Sequence, residues 1–487
     1  MISFYIKQHS DTPKARIVGV YEAIQDRKGQ LSLLMMIFLA TFLDSLDVRI
    51  VSVSLVDISM AMGISEVDCS WIVNSYTIAM VGLFILFVKT ADGGRLREQI
   101  LTGMTLFVVS SVLTAIVHSL PLMIIFRFIQ GVGAAMMGSS IPVMIVRMLP
   151  KNRRATGFAI LSVSAGIAIL MGPFLSTIAT STVGWELIMF FCIPFAVAGM
   201  LLCRKVIPMI PDGDREDIPD RRTTAFTCAF MVSTLFLAET VIAGGLDMTY
   251  ILAMMVISLS LMGLTWWSYR RTERPLMDFS IFRNKNYSFS CMVYLISAAV
   301  QIGTEYLLSF YLTLSWGLDD ITYLSMLSIS TVVMIVSSAV AGPWCDRHGC
   351  RTLAVISMLL TTVFAFLYAI ADPSMGLWII VVIMVVAGVS SGIGGTAMTT
   401  AIVNNSNEGN EGEAGATQTV MYYLGSIIGV ILYVIGYTLG SGTGEMSEVF
   451  LGGFQTASII GIVISIIGTL LALSVPNIVP GKDPDGC

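Results

Sequence analysis

Three charged side chains lie close together in an apolar stretch near the start of the chain. The sequence FLDSLDVRIVSVSLVD, residues 42–57, contains Asp44, Asp47 and Arg49. A charge at the centre of a membrane helix costs about 2.5–3.5 kcal/mol on insertion scales, so such charges usually serve a function. Asp44 and Asp47 would share one helix face, whereas Arg49 points away from Asp47 and its role stays open. A buried carboxylate near a cation can exchange a proton, and that chemistry can couple proton movement to another process.

Further ionisable residues lie in other apolar runs. Arg127 enters its run from the opposite end and reaches a depth similar to that of Asp47, so a pair with either Asp47 or Asp44 is geometrically allowed. A static pair that only holds two helices together is the alternative interpretation. Glu305, in the second half of the chain, is the next candidate for proton exchange. Glu239 lies in a run that could place it at the outer headgroups, and its role stays open.

The composition is that of a polytopic, all-α membrane protein. The 487 residues are 55% hydrophobic and only 12% charged, with a mean hydropathy of +0.84, whereas soluble proteins contain about a quarter charged residues. The eight cysteines form no disulfide-like framework and no common zinc spacing. Residues 1–30 are too polar for a signal peptide and predict a cytoplasmic tail. We expect no metal, no cofactor and no nucleic-acid partner.

Fourteen apolar runs are long enough to cross a bilayer, which takes about 20 residues per helix. They lie near 31–57, 69–89, 99–118, 121–149, 156–180, 186–206, 223–243, 249–269, 287–314, 321–343, 352–370, 375–403, 415–439 and 449–475. This count predicts spans in an order of six, two and six. The predicted domains are a tail at 1–30, a six-helix bundle at 31–206, two inserted helices with linkers at 207–286, a second six-helix bundle at 287–475 and a cytoplasmic tail at 476–487.

Basic residues support this count, because lysine and arginine accumulate in cytoplasmic loops. With the N-terminus inside, every predicted inner loop except 404–415 contains basic residues, and no predicted outer loop contains any. Only Arg49 and Arg127 lie deep inside predicted spans. The pattern predicts a multi-pass protein of the cell (cytoplasmic) membrane with both termini in the cytoplasm.

Two matched inner loops combine an aspartate, a glycine-containing turn and arginines. KTADGGRLR, 89–97, follows the second span, and GPWCDRHGCR, 342–351, follows the second span of the second bundle. Such an aspartate can accept bonds from a helix N-terminus while the arginines bridge to a neighbouring helix, which would form a conformational latch. An ordinary positive-inside loop is the alternative. The latch candidates are Asp92, Arg95 and Arg97 in the first loop and Gly342, Asp346, Arg347, Gly349 and Arg351 in the second.

Several segments resemble the major facilitator superfamily, in particular its fourteen-span drug:proton antiporter branch. They are LDVRIVSVSLVDI (46–58), SWIVNSYTIA (70–79), RFIQGVGAA (127–135), AGIAILMGPFL (165–175) and ERPLMDFSIFRNKNYS (273–288). The fourth of these contains Gly166, Gly172 and Pro173, which predict close packing and a helix kink. The chain departs from the branch where the first latch lacks its opening glycine, and at the pairs Ser176–Thr177 and Tyr422–Tyr423.

The resemblance implies a major facilitator fold and a proton-coupled secondary transporter. It would export amphipathic, cationic small molecules by alternating access, as a monomer surrounded by membrane lipid. Asp47 would be the leading proton-coupling residue, with Asp44, Arg127 and Glu305 as further candidates. Polar and aromatic side chains would line the substrate cavity and offer cation–π contacts: Trp71, Asn74, Tyr76, Gln301, Phe310, Tyr311, Tyr422 and Tyr423.

The sequence also bears on other classes of protein. Arg49 keeps open a narrow-specificity transporter of a metabolite or lipid, including an anionic substrate or an importer, because fixed arginines favour anions. A non-transporting sensor would predict degraded latches. An enzyme is disfavoured because no His/Cys/Asp constellation stands at a membrane surface. Direct ATP coupling is disfavoured because G-x-x-x-x-G-K-[ST] is absent.

Overall fold

The computed structural model describes residues 26–64, 66–182, 184–210, 220–243, 248–272, 279–318, 320–406, 411–440 and 446–477, and every regular element within these ranges is helical. The chain up to residue 269 forms α1 (Arg27–Val53), α2 (Leu55–Met62), α3 (Glu66–Thr90), α4 (Leu96–Ile116), α5 (Leu120–Met148), α6 (Arg154–Thr182), α7 (Glu186–Phe191), α8 (Ile193–Val206), α9 (Arg221–Ala243) and α10 (Met248–Tyr269). The rest forms α11 (Lys285–Phe310), α12 (Asp320–His348), α13 (Arg351–Ile370), α14 (Trp378–Asn404), α15 (Glu411–Gly440) and α16 (Met446–Ser474).

Twelve helical segments of the described chain are long and apolar enough to cross a membrane. One of them, Asp68–Ile116, is 49 residues long and contains most of α3 and all of α4. At 1.5 Å per residue it far exceeds a hydrocarbon core of about 30 Å. The π-helical turn Ala91–Arg95 interrupts it at Gly94, whose φ is 96°. Helix α9 has 23 residues but is not among the twelve. The molecule is thus an all-helical, multi-pass membrane protein, and the count of fourteen spans stays a prediction.

The first predicted run does not form one continuous helix. α1 ends at Val53, Ser54 has φ −90° and ψ 2°, and the chain resumes as α2. The Ser54 hydroxyl donates to the carbonyl of Ile50 at 2.9 Å and lies 2.6 Å from the hydroxyl of Ser176 on α6. A serine that bonds back to its own helix competes with the helical ladder and bends it. The predicted run at 186–206 also divides, at Cys192, into α7 and α8, and here a proline lies in the first turn of the second helix.

Contacts group the chain into two compact units. Unit 1 comprises the residues up to Pro150 together with Ile167–Asp278, and holds α1–α5, the second part of α6 and α7–α10. Unit 2 comprises Lys151–Gly166 and the chain from Phe279 onwards, and holds the first part of α6 and α11–α16. Helix α6 therefore contributes to both units.

Each unit contains a tight helix pair that small residues make possible. In unit 1, α3 packs on α5, and a Cβ built at Gly131 would lie 2.9 Å from the Cβ of Ala79. In unit 2, α12 packs on α14, and a Cβ at Gly388 would lie 2.9 Å from the Cβ of Val333. Glycine allows helix backbones to approach closely within a membrane. These helices correspond to the second and fourth spans of each predicted bundle, so the packing repeats in both halves of the chain.

The inserted helices α9 and α10 pair through hydroxyl groups. The Thr223 and Ser268 hydroxyls lie 2.7 Å apart, and that of Ser258 lies 3.0 Å from Ser233 and 2.8 Å from Thr234. Hydrogen bonds of this kind help hold helices together in hydrocarbon. Helix α9 also packs on α3, so that the inserted pair belongs to unit 1.

Candidate functional site

Arg127 is the centre of a fully buried polar cluster in unit 1. Its Nη1 donates to Oδ2 of Asp47 at 2.6 Å and to Oε1 of Gln130 at 2.9 Å, and its Nε donates to the carbonyl of Ile72 at 3.0 Å. Gln130 Nε2 donates to the other oxygen of Asp47 at 3.0 Å. Asp47 is 1% exposed, and Arg127 and Gln130 are 0% exposed. The cluster is a closed ion pair built from α1, α3 and α5.

Helix geometry explains why these side chains meet. Arg127 and Gln130 are three residues apart on α5 and therefore share the face that looks toward α1. Gly131 brings α5 against α3, because a Cβ there would collide with the carbonyl of Tyr76. Of the two pairs allowed by the sequence, the structure contains Asp47–Arg127. Losing one partner of a buried pair typically costs about 3–5 kcal/mol, because the other charge is left uncompensated.

Asp44 lies one turn before Asp47 and has a different environment. It is half-buried, and its Oδ1 accepts a hydrogen bond of 2.5 Å from the hydroxyl of Tyr76 on α3. The Tyr76 ring lies against Arg127, with the guanidinium carbon 4.7 Å from the ring centroid. Tyr76 is itself 0% exposed. Tyr76, a residue predicted to line the substrate cavity, therefore bonds Asp44 through its hydroxyl and contacts Arg127 through its ring.

One donor of this cluster is unused. Nη2 of Arg127 is buried and has no hydrogen-bond partner among the described groups. Buried guanidinium donors are normally satisfied, so this donor is an exception within the cluster.

The candidate kink motif of α6 lies partly against α1. A Cβ at Gly172 would lie 3.0 Å from the Cβ of Arg49, and one at Gly166 would lie 3.0 Å from Cδ1 of Ile335. Both glycines are therefore positions of close packing, as expected, while the helix continues through Pro173. The predicted kink stays a prediction. Arg49 is exposed on the surface of unit 1 and is not part of the buried cluster.

The other unit 1 cavity candidates lie on α3. Trp71 is half-buried and packs against Phe236 of the inserted helix α9, with ring centroids 5.0 Å apart. This contact directs Trp71 toward the inserted pair, because α9 covers that side of α3. Asn74 is half-buried. Their role in binding stays a prediction.

The unit 2 candidates differ in their surroundings. Glu305 on α11 is exposed. Gln301 accepts from the Ser391 hydroxyl and donates to the Ser297 hydroxyl, both at 3.1 Å. Tyr311 is 0% exposed and stacks on Phe454 with ring centroids 4.0 Å apart, so it belongs to an apolar core. That burial argues against its predicted place in the cavity lining.

Three aromatic candidates remain in unit 2. Tyr422 and Tyr423 on α15 are half-buried and meet edge to face at 5.4 Å, and Tyr422 also lies 6.2 Å from Tyr294. These two rings can offer contact area to a ligand. The side chains of Phe310 and Glu239 lie outside the described residues.

In the first latch the aspartate bonds an arginine from another helix. Nε and Nη2 of Arg147, at the end of α5, lie 3.0 and 2.9 Å from Oδ1 of Asp92. Both side chains are largely buried. The predicted arginines of this loop, Arg95 and Arg97, are half-buried. The arginine that bridges to Asp92 therefore comes from the end of α5, a helix later in the chain.

In the second latch the aspartate bonds a helix N-terminus. Within unit 2, the backbone N–H groups of Ala155 and Thr156 donate to the two oxygens of Asp346 at 2.9 and 3.0 Å, and the Thr156 hydroxyl donates at 2.5 Å. These residues form the first turn of α6. Free N–H groups and the helix dipole make such a turn a site for a carboxylate. The pattern of the two loops predicted such a contact for their aspartates.

The remaining residues of the second latch have separate contacts. A Cβ at Gly342 would lie 2.7 Å from the Cβ of Ala159 on α6, so glycine is needed where α12 meets α6. Gly349 has φ 83° and would collide with the Asn477 side chain if it had a Cβ. Arg351 donates to the carbonyl of Leu473 at 2.5 Å, whereas Arg347 is exposed.

Three residues that form these contacts were not predicted as site residues from the sequence. Gln130 could have been found from its spacing, because it lies one turn from Arg127 on the same face. Arg147 and Thr156 flank the same loop between α5 and α6, but their partners, Asp92 and Asp346, are distant in sequence. No local pattern specifies those long-range contacts.

Comparisons with known proteins identify the family and agree with the helical fold. A family model described as Major Facilitator Superfamily matches residues 37–430 and 288–485. The tetracenomycin C resistance and export protein of Streptomyces glaucescens is 27% identical over 414 residues, 82% of this chain and 74% of that protein. The methylenomycin A resistance protein of Bacillus subtilis (strain 168) is 23% identical over 405 residues, 82% of this chain and 86% of that protein. The solved human organic anion transporter MFSD10 (TETRAN) covers 91% of this chain and 99% of its own, with a TM-score of 0.64 at 14% identity, a likeness of fold alone.

Proposed function

Because the chain belongs to the major facilitator superfamily and is a multi-pass membrane transporter, we propose that it exports amphipathic, cationic small molecules in exchange for protons. The observation that carries this proposal is the cluster of ionisable groups inside unit 1. Asp47, Arg127 and Gln130 are buried, and Asp44 lies one turn away. Ionisable groups within spanning segments are costly, and they typically mark proton or ion pathways.

The names of two relatives support export of drug-like molecules. One is named for resistance to and export of tetracenomycin C, and the other for resistance to methylenomycin A. Both are less than 30% identical to this chain, so the names support a class of cargo and not a compound. The cationic character is inferred from the acidic residues of α1 and from half-buried aromatic rings such as those of Tyr422 and Tyr423.

The proposal includes fourteen spans, placed in the cytoplasmic membrane with both termini inside. Two facts support this count: the 49-residue segment Asp68–Ile116 contains two helices, and α9 and α10 form an additional hydrogen-bonded pair. The absence of lysine and arginine from the predicted outer loops supports the orientation. Fourteen spans would also fit the drug:proton antiporter branch that the sequence resembles.

The latches would control the conformational cycle. Asp346 holds the first turn of α6, a helix whose two parts belong to different units. We infer that this contact forms in one state of an alternating-access cycle and opens in the other. Asp92 and Arg147 would be the matching contact of unit 1.

A proteoliposome assay tests the proposed function. The purified protein is reconstituted, a pH gradient is imposed, and movement of the cationic dye ethidium is followed by fluorescence. We expect accumulation of ethidium in the vesicles that a protonophore abolishes, together with measurable proton counter-movement. Ethidium accumulation that persists unchanged without a pH gradient would contradict proton coupling.

A second candidate function is supported by one residue. Arg49 is an exposed cation on α1, and fixed arginines bind carboxylates and phosphates, so a narrow-specificity transporter of an anionic metabolite or lipid is the rival. The same vesicles discriminate the two functions if an anionic dye such as carboxyfluorescein replaces ethidium. Transport of the anion but not the cation, lost in Arg49→Gln, would favour the rival. A sensor would bind a ligand without moving it.

A further inference from the structure

We propose that Asp44 is the carboxyl group that takes up and releases the coupling proton, and that Tyr76 is the residue that positions it. The inference rests on the proposed proton-coupled export and goes further, because it names the group that changes its protonation. The sequence favoured Asp47 for this role. The contacts of the two carboxylates lead to a different assignment.

Asp47 is committed to an ion pair. Its two oxygens accept separate hydrogen bonds from Arg127 and Gln130, at 2.6 and 3.0 Å, and only 1% of the residue is exposed. A proton on Asp47 would break an ion pair and leave the guanidinium charge buried without compensation, which is strongly unfavourable. Arg127 cannot relieve this cost by losing its own proton. The Asp47–Arg127 pair is therefore suited to hold α1 against α5, not to exchange protons.

Asp44 meets the opposite conditions. Its hydrogen-bond partner on α3 is the neutral hydroxyl of Tyr76 at 2.5 Å, and no cation forms an ion pair with it among the described residues. Protonation of Asp44 therefore breaks no ion pair. The side chain is also half-buried, whereas Asp47 is closed off, so Asp44 is the more accessible carboxylate to a proton donor.

Among the ionisable groups in this region, Asp44 is the one whose charge can change. Asp47 lies near it on the next turn of α1, Tyr76 contacts it from α3, and Arg127 lies near it on α5. Cys192, between α7 and α8, lies within electrostatic range. The charges of Asp47 and Arg127 cancel, and the phenol and the thiol are neutral. Asp44 takes up one proton from one side of the membrane and later releases it to the other side. The carboxyl O–H bond is the only covalent bond that forms and breaks.

Tyr76 connects Asp44 to the ion pair. Its hydroxyl bonds Asp44, while its ring lies 4.7 Å from the guanidinium carbon of Arg127. When Asp44 becomes protonated, the bond from the phenol weakens, because hydrogen bonds to a charged acceptor are the stronger ones. The ring and the guanidinium above it can then shift together. Tyr76 would thus transmit the protonation state of α1 to α3 and α5.

Two measurements test the assignment, the first without any substrate. The infrared band of protonated carboxyl groups is followed against pH in purified wild type and Asp44→Asn, with Ser45→Ala on the same helix as the control. We expect the Asp44→Asn spectrum to lack a pH-dependent carboxylic acid band that wild type and Ser45→Ala retain. An unchanged set of bands in Asp44→Asn would overturn the proposal.

The second measurement is ethidium transport in vesicles. Asp44→Asn should lose pH-driven transport by at least about tenfold while keeping downhill exchange, because exchange needs no net proton movement. Tyr76→Phe should keep driven transport but shift its pH profile upward by about one unit, since the lost hydroxyl stabilised the ionised carboxylate. Tyr433→Phe, which removes a buried hydroxyl bond to Thr304 in unit 2, is the matched control and should leave the profile in place.

The possible outcomes separate the two proposals. Full pH-driven transport in Asp44→Asn, or an unshifted profile in Tyr76→Phe, overturns the role of these residues while proton-coupled export stands. Wild-type vesicles that exchange ethidium but never respond to a pH gradient would overturn proton coupling itself. The infrared titration would still report whether Asp44 binds a proton.

Discussion

At the scale of single residues, the buried ion pair is asymmetric. A carboxyl group that has lost its partner can become neutral by taking a proton, whereas the guanidinium of Arg127 cannot lose its charge in a protein. Removal of Arg127 therefore leaves a carboxyl that can be neutralised, while removal of the Asp47 charge leaves a buried cation without its counter-charge. The two partners are expected to differ in how much the fold depends on them.

The first prediction compares Asp47→Asn with Arg127→Gln. We expect Asp47→Asn to lower the free energy of unfolding by about 3–5 kcal/mol and Arg127→Gln by less, because only the first leaves an uncompensated buried charge. Thermal unfolding of the purified proteins in detergent measures both. The double variant should be closer to wild type than Asp47→Asn alone. Equal losses in both single variants would show that the pair is solvated and not buried.

The sequence allowed this pair to be anticipated, but not the role of Tyr76. Depth along two helices placed Arg127 level with Asp47, and that argument needs only the rise per residue. The contact between Tyr76 and Asp44 depends on how α3 rotates against α1, which tertiary packing decides. Tyr311, which packs in an apolar core, shows the same limit. The sequence of a span does not distinguish an aromatic residue that lines a cavity from one that packs in a core.

At the scale of elements, the N-terminus of α6 is the point on which the second latch depends. Asp346 satisfies two backbone N–H groups of its first turn, and Gly342 lets α12 come close enough for the bond. The loop pattern predicted an acidic cap for some helix, because free N–H groups favour carboxylates. It did not indicate which helix, because Ala155 and Asp346 are 191 positions apart and no local pattern connects them.

The second prediction concerns Asp346→Asn. The amide retains one acceptor oxygen and loses the charge, so the latch should weaken by about 1–2 kcal/mol. Transport should slow several-fold while expression and ethidium binding persist, because the contact lies outside the proposed cavity. Stopped-flow transport and equilibrium binding on the same samples separate these effects.

Thr156→Val serves as the matched variant for this latch. It removes the hydroxyl donor but retains both backbone bonds to Asp346, so its effect on turnover should be smaller. A loss of binding equal to the loss of turnover in Asp346→Asn would mean that the residue holds the fold and not a moving contact.

At the scale of the whole molecule, hydropathy predicted where the helices lie but not where they break. Apolar length is set by the bilayer, so the runs were visible without a structure. The break at Ser54 and the division at Cys192 depend on hydroxyl bonds and on a proline in the next turn, which leave the mean hydropathy unchanged. The division of α6 between two units is also invisible in the sequence, because the helix itself is continuous.

The last prediction tests the number of spans. Single cysteines are introduced into a variant lacking the eight native ones and are labelled in whole cells with an impermeant maleimide. Fourteen spans with the N-terminus inside predict outside labelling at Ser119 and at Thr249, which lies at the exposed start of α10. They predict no labelling at Asn152 or Asn407 until the membrane is permeabilised.

Thr249 is decisive for the inserted pair: if α9 and α10 did not cross, Thr249 would be protected while Asn407 stayed inside. Outside labelling at Asn407 would instead mean an odd number of crossings before it, because each crossing reverses the side on which the following loop lies.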